Sequence, residues 1–197
     1  ATLLFAFEPS LYPLVKTRWE GLDIMNYSPC VYAYQAKNIA ITGEGTIDGN
    51  GSRETWWPWC GAKKYGFVAG KTDQSQSMPY MGKNQQYKQV DDKGNVKTNR
   101  NTLLWMSDNG VPTEERVFGS KCGMRPQLIN FYQCENILIE DVTLLRSPFW
   151  VIHPTLSKNI TVRRCKIVND GPNGDGCDPE SCENVLIEDC LFDTGDD

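Results

Sequence analysis

Lys158-Asn159-Ile160-Thr161-Val162 is the stretch whose reading decides the fold, because it occurs again and again. It is preceded by Lys37-Asn38-Ile39-Ala40-Ile41 and Glu135-Asn136-Ile137-Leu138-Ile139 and followed by Glu183-Asn184-Val185-Leu186-Ile187. The shared form is charged, Asn, β-branched, any residue, then β-branched. A period in the twenties carried by short β-rich segments is the signature of a solenoid. One and three positions after each Asn sit Ile137/Ile139, Ile160/Val162 and Val185/Ile187. Six and eight positions after it sit Val142/Leu144, Cys165/Ile167 and Cys190/Phe192. Alternation within each pair marks a strand, and the change of parity between the pairs marks a bend. Two strands and a bend per repeat specify an all-β, right-handed parallel β-helix. Leucine-rich repeats are excluded by the leucine spacing and by the lack of a helical pattern after each strand.

Equivalent residues of successive coils stack about 4.8 Å apart. The repeated Asn should therefore form a ladder, each amide bonding the next. Cys134 and Cys182 share one repeat position, and Cys165 and Cys190 another, so these thiols read as inward members of apolar stacks rather than as a disulfide framework. With 8 Cys, a single His and no CxxC pair, a Cys/His zinc site is not expected. We expect no cofactor.

The repeat lapses between Asn38 and Asn136. Trp56-Trp57-Pro58-Trp59 and a polar run over 71–102 make 52–120 an irregular excursion. It either borders a ligand cleft or caps apolar surface. The whole of 1–197 is otherwise expected to be part of one parallel β-helix catalytic domain, incomplete at both ends, since neither end carries a capping signal. The net charge of −5 argues against nucleic acid or an anionic membrane surface as partner. Ala1–Phe7 is apolar but lacks a basic leader and a cleavage site, so it is not read as a signal peptide.

The chemistry is concentrated in Asn173-Gly174-Asp175-Gly176-Cys177-Asp178 and Thr194-Gly195-Asp196-Asp197. Asp175 and Asp196 are separated by about one coil, which gathers Asp175, Asp196 and Asp197 on one face. Such carboxylates repel, and at least one should keep its proton to a higher pH. One acid and one base are what glycoside hydrolysis needs. From spacing alone, turn-forming or calcium-binding carboxylates are favoured over catalytic ones.

These two runs resemble those of polygalacturonases, glycoside hydrolase family 28. Thr17-Arg18-Trp19-Glu20-Gly21, Ile41-Thr42-Gly43-Glu44-Gly45-Thr46-Ile47-Asp48-Gly49 and Ser147-Pro148-Phe149-Trp150-Val151-Ile152-His153-Pro154 are similar to the bacterial, exo-acting branch of that family. The first motif is usually Asn-Thr-Asp in the family; Gly174 stands in its middle here. The resemblance implies hydrolysis of α-1,4-linked galacturonic acid chains with inversion. It implies Asp196 as general acid, and Asp175 and Asp197 as the pair that activates water. The family's Gly-His-Gly and Arg-Ile-Lys motifs would fall after Asp197, so this polypeptide alone is expected to be inactive. Asn173, His153, Arg146, Arg125 and Trp57 are the candidate substrate-binding residues: His153 from its place on the coil before Asp175, the arginines as carboxylate forks, and Trp57 as a stacking ring. His153 reads equally as a buried, hydrogen-bonded residue beside Trp150. The partner implied is a pectin or galacturonan polysaccharide, met by a monomer that is secreted or periplasmic. A β-helix polysaccharide lyase and a non-catalytic carbohydrate-binding β-helix are the rival readings.

Overall fold

The computed structural model describes residues 1–197. Three successive coils are each built from three short parallel strands, and a fourth has two strands and a bridged rung in place of the third. One sheet stacks Val31–Tyr34, Ile129–Tyr132 and Ile152–Thr155, with Cys177 and Glu180 bridging as the next rung. A second stacks Lys37–Thr42, Glu135–Glu140, Lys158–Arg163 and Glu183–Glu188. The third stacks Thr2–Leu4, Thr46–Asp48, Thr143–Leu145, Lys166–Asn169 and Leu191–Thr194. Inward side chains form one continuous core that includes Ile137, Ile139, Leu144, Ile160, Val162 and Ile167.

The asparagine ladder forms as the repeat predicts. Asn136 Nδ2 donates to Asn38 Oδ1 at 2.8 Å, Asn159 Nδ2 to Asn136 Oδ1 at 2.9 Å, and Asn184 Nδ2 to Asn159 Oδ1 at 3.1 Å. All four asparagines have left-handed backbones, with φ of 55°, 60°, 55° and 56°. Asn tolerates that region because its short polar side chain bonds locally. The second corner is left-handed too, at Asp141, Arg164 and Asp189, with Gly43 on the equivalent rung of the first coil. These corners produce the parity change read from the repeat. Asn136→Ala would put a Cβ-bearing residue without a side-chain bond at φ 60° and cut the ladder on both sides. It should cost about 2 kcal/mol, measurable as a lower Tm.

All eight cysteines are free. Cys134 and Cys165 are 2% exposed and belong to the core, and Cys177, Cys182 and Cys190 pack against it. The Sγ–H of Cys134, Cys165, Cys182 and Cys190 each donates to the carbonyl two residues earlier, at 3.3–3.5 Å. Ser157, on the rung between Cys134 and Cys182, does the same with its hydroxyl at 3.0 Å. Burial raises the Cys165 thiol pKa to about 11 and that of Cys177 to about 12. These side chains are packing residues with a satisfied donor.

The chain divides into two compact units. The coils make up the first, residues 1–7, 29–56 and 126–197; the second is 8–28 with 57–125. The second unit covers much the same stretch as the expected excursion and also includes the N-terminal segment 8–28, which the sequence analysis had placed in the β-helix. That segment is an antiparallel hairpin, Leu14–Trp19 with Leu22–Tyr27, turned at Glu20-Gly21 with φ of 46° and 84°. Positive φ at both turn residues suits the right-handed twist of the flanking strands. The second unit also holds one helix, Asn99–Asp108, whose Thr98 cap accepts from Asn101 N–H at 3.2 Å. Trp19, Ile24, Leu103 and Met106 are at most 1% exposed and fill its interior. No helix is long and apolar enough to cross a membrane.

Candidate active site

The candidate site lies where the third sheet hands over to the first, within the first unit. Lys166–Asn169 and Leu191–Thr194 run side by side, with Asn169 opposite Thr194. Beyond them the two coils differ. The upper one passes through Gly195 and Asp196 to Asp197, while the lower one takes a longer path, 170–174, to Asp175. Gly195 N–H donates to the Asn169 carbonyl and Gly176 N–H to the Asp197 carbonyl, both at 2.9 Å. Asp197 therefore arrives on the rung of Asp175. The longer path needs room and sharp turns. Asn173 is left-handed at φ 51°. A Cβ on Gly174 would lie 2.6 Å from Asn169 Nδ2 and 2.8 Å from the Gly171 carbonyl, so no larger residue fits there without a shift. A Cβ on Gly195 would meet the Asp170 backbone at 3.1 Å.

The coil below holds Asp175 from the other side. Val151 N–H donates to the Asp175 carbonyl at 2.9 Å, and Asp178 N–H to the Ile152 carbonyl at 2.8 Å. The Trp150 indole hydrogen-bonds the Asp175 carboxylate. Trp150 is itself sandwiched, stacked on Phe149 with centroids 5.1 Å apart and met edge-on by His153 at 4.8 Å. The corner before it is tied by Ser147, whose hydroxyl donates to the Trp150 carbonyl at 3.1 Å.

The acidic side chains come together. Burial raises the pKa of Asp175, and the nearby Asp196 and Asp197 raise it further. Asp178 rises to about 7, first through burial and then through Asp175, Asp197, Asp196 and Glu180. Asp178 was not among the carboxylates that the sequence analysis grouped. The signal was available, since Asp178 closes the same Asn173–Asp178 run that carries Asp175.

Several residues expected at the substrate are placed differently. His153 is 0% exposed. Its Nδ1 accepts from Gln127 Nε2 at 3.1 Å, which leaves the proton on Nε2, facing Glu180 Oε2 at 3.0 Å. It is the buried, hydrogen-bonded histidine of the two readings offered, with no open surface for a ligand. The Arg146 fork is engaged by Asp48, through Nε at 3.0 Å and an Nη at 2.6 Å. Asp48 holds the guanidinium pKa above its ordinary value, and the pair ties neighbouring coils. Trp57 and Arg125 lie in the second unit. Trp57 is 8% exposed, edge-on to Tyr65 at 6.4 Å. A stacking platform needs an open ring face, and this one is spent on packing. Arg125 is fully buried, so it does not present an open guanidinium fork at the surface.

Comparison with known proteins agrees with this geometry. The model of glycosyl hydrolases family 28 matches residues 71–197. A probable polygalacturonase of Vitis vinifera is 38% identical over 109 residues, which is 51% of this chain and 22% of the relative. An exopolygalacturonase of Thermotoga maritima is 43% identical, with a TM-score of 0.84 over 100% of this chain and 39% of that one. A family 28 exopolygalacturonase of Yersinia enterocolitica, 21% identical with a TM-score of 0.59 over 98% of this chain and 33% of that one, shares the fold. The chain thus spans under half the length of each of these three relatives.

Proposed function

Because the chain belongs to glycosyl hydrolases family 28, we propose that it forms part of an enzyme hydrolysing the α-1,4 bonds of polygalacturonate by an inverting acid/base mechanism. The observation that carries this reading is the backbone bond from Gly176 N–H to the Asp197 carbonyl at 2.9 Å, which puts the Asp196–Asp197 pair on the coil next to Asp175, whose carboxyl both of them act on. In the reaction, Asp196 gives its proton to the glycosidic oxygen as the bond to the anomeric carbon breaks. Asp175 and Asp197 orient a water on the opposite face of the sugar and take one of its protons as its oxygen attacks. Exchange with solvent returns each carboxyl to its starting state. A base buried beside other carboxylates is more basic than one in water, which suits proton abstraction. The Trp150 bond keeps Asp175 aimed.

Asn173 flanks Asp175 on the loop and is a substrate contact in this reading. The substrate is a polymer outside the cell, so the place of action is secreted or periplasmic. Lyase chemistry and a purely binding role have no specific observation in their favour.

The test is product analysis. Full-length protein mixed with polygalacturonate should release reducing ends without added metal. The first product seen by proton NMR should have the anomeric configuration opposite to that of the bond cleaved. A product absorbing in the ultraviolet through a new double bond would mean a lyase instead.

A further inference from the structure

Four buried polar side chains of the coils have no part in the reaction above. Gln127, Asn130, His153 and Thr155 are each at most 1% exposed. Asn130 and His153 pair on neighbouring rungs of the first sheet. The four bond one another. Gln127 Nε2 donates to His153 Nδ1 at 3.1 Å. Asn130 Nδ2 donates to Thr155 Oγ1 at 3.0 Å and to the His153 carbonyl at 2.5 Å. Thr155 Oγ1 lies 3.3 Å from His153 Nε2. The Nε2–H of His153 then reaches out of the network to a carboxylate, Glu180 Oε2, at 3.0 Å.

A buried polar group is unfavourable unless it is bonded, and a network that is satisfied fixes one geometry. Glu180 is where that geometry reaches the surface: its side chain is 21% exposed, against 0% for His153. The backbone of Glu180 is held as firmly. Thr155 pairs with it, its N–H donates to the Pro154 carbonyl, and its carbonyl accepts from Leu156 N–H, both bonds at 2.9 Å. Glu180 follows Asp175 by five residues on the same coil, a span of at most about 17 Å. A few linked sugars cover that length. The charge of Glu180 is also felt at Asp178, which lies between the two in sequence.

We propose that Glu180 is a specificity-determining residue of the polysaccharide site, oriented by His153, whose carboxylate accepts hydrogen bonds from the free hydroxyls of a sugar bound near the catalytic aspartates. The inference rests on the polygalacturonate reading given above. In an α-1,4-linked galacturonic acid chain the linkages occupy O1 and O4 and the carboxylate occupies C6, so the free donors are the hydroxyls at O2 and O3. An ionised carboxylate offers acceptors alone. It takes those hydroxyls and repels the sugar's own carboxylate, and so turns the ring with its hydroxyl edge inward. A sugar acetylated at O2 and O3 has lost the donors and is refused. His153 is a positioning residue: it is closed to substrate, and its N–H sets the direction of the Glu180 carboxylate.

Binding measured without turnover tests this. Full-length protein carrying Asp196→Asn is titrated by calorimetry with a galacturonate oligomer, and with the same oligomer acetylated at O2 and O3. Adding Glu180→Ala should weaken binding of the plain oligomer roughly 10-fold, the loss expected for hydrogen bonds to a charged group. The preference for the plain oligomer over the acetylated one, about 10-fold or more before that change, should shrink to within about threefold after it. His153→Phe keeps a ring and removes the donor, and should produce both changes; combined with Glu180→Ala the losses should not add. His153→Gln restores a donor and should recover part of the binding. Glu180→Ala with undiminished affinity or undiminished preference overturns the proposal, and this arm decides even where His153→Phe does not fold. Losses that add in the combined variant overturn the role of His153. Protein with Asp196 intact that binds the oligomer through Glu180 but cleaves nothing would instead reject the hydrolytic reading and leave Glu180 standing.

Discussion

Asp175→Asn is expected to lose about three orders of magnitude in kcat on polygalacturonate while melting at a higher temperature than the parent near neutral pH. The two halves of this result have one cause. General base catalysis contributes 10²–10⁴-fold, and an amide cannot take a proton from water. The folded state, however, holds the Asp175 pKa above its ordinary value, through burial and through Asp196 and Asp197. A carboxyl with a raised folded-state pKa binds its proton more tightly when folded than when unfolded. Stability is therefore lost as pH climbs from the unfolded pKa through the folded one. A neutral isostere does not suffer that loss, so the variant should gain stability where the parent is ionised, and the gain should vanish at low pH. Reducing-end assays and thermal melts at two pH values check both halves. Asp196→Asn should cost a similar factor in rate, and a small loss there would reject its assignment as the acid.

Gly174→Thr, which writes the family's usual Asn-Thr-Asp motif into this chain, is expected to damage the protein rather than improve it. The new Cβ would lie 2.6 Å from Asn169 Nδ2 and 2.8 Å from the Gly171 carbonyl. Asn169 is 1% exposed, and neither atom of its amide has a hydrogen-bond partner, so it occupies the space the motif's side chain would otherwise take. Overpacking a tight site costs about 1–3 kcal/mol. Here the strain falls on the loop that delivers Asp175, so kcat should drop at least about tenfold. Asn169→Ser in the Gly174→Thr background opens that space and should recover most of both losses. A single variant with the parent's Tm and rate would show that the loop yields freely.

Much of the coil was legible because each repeat states its own geometry. Asn159 sits where a left-handed corner needs it, and Ile160 and Val162 alternate inward as a strand demands. The carboxylate cluster was legible through the one-coil separation of Asp175 from the final aspartates. What escaped depends on contacts between segments distant in sequence. Nothing near Arg146 announces that Asp48, 98 residues earlier, takes its fork. A histidine is silent about whether Gln127 and Glu180 will enclose it. A Trp-rich run such as Trp56–Trp59 reads as packing before it reads as a sugar platform, and burial decides for packing. The hairpin at Leu14–Tyr27 did alternate, but its role was hidden because its partners lie in 57–125.

Asn38 and Asn136 touch across 98 residues of chain, whereas Asn136 and Asn159 touch across 23. Closing the longer span instead of the shorter costs at most about 1.3 kcal/mol, since the entropy grows only with the logarithm of length. The ladder thus admits a large embellishment at one rung for a small thermodynamic penalty. Embroidery between rungs and catalysis at the far rungs can therefore diversify separately, the first free to be rewritten while the second keeps its register.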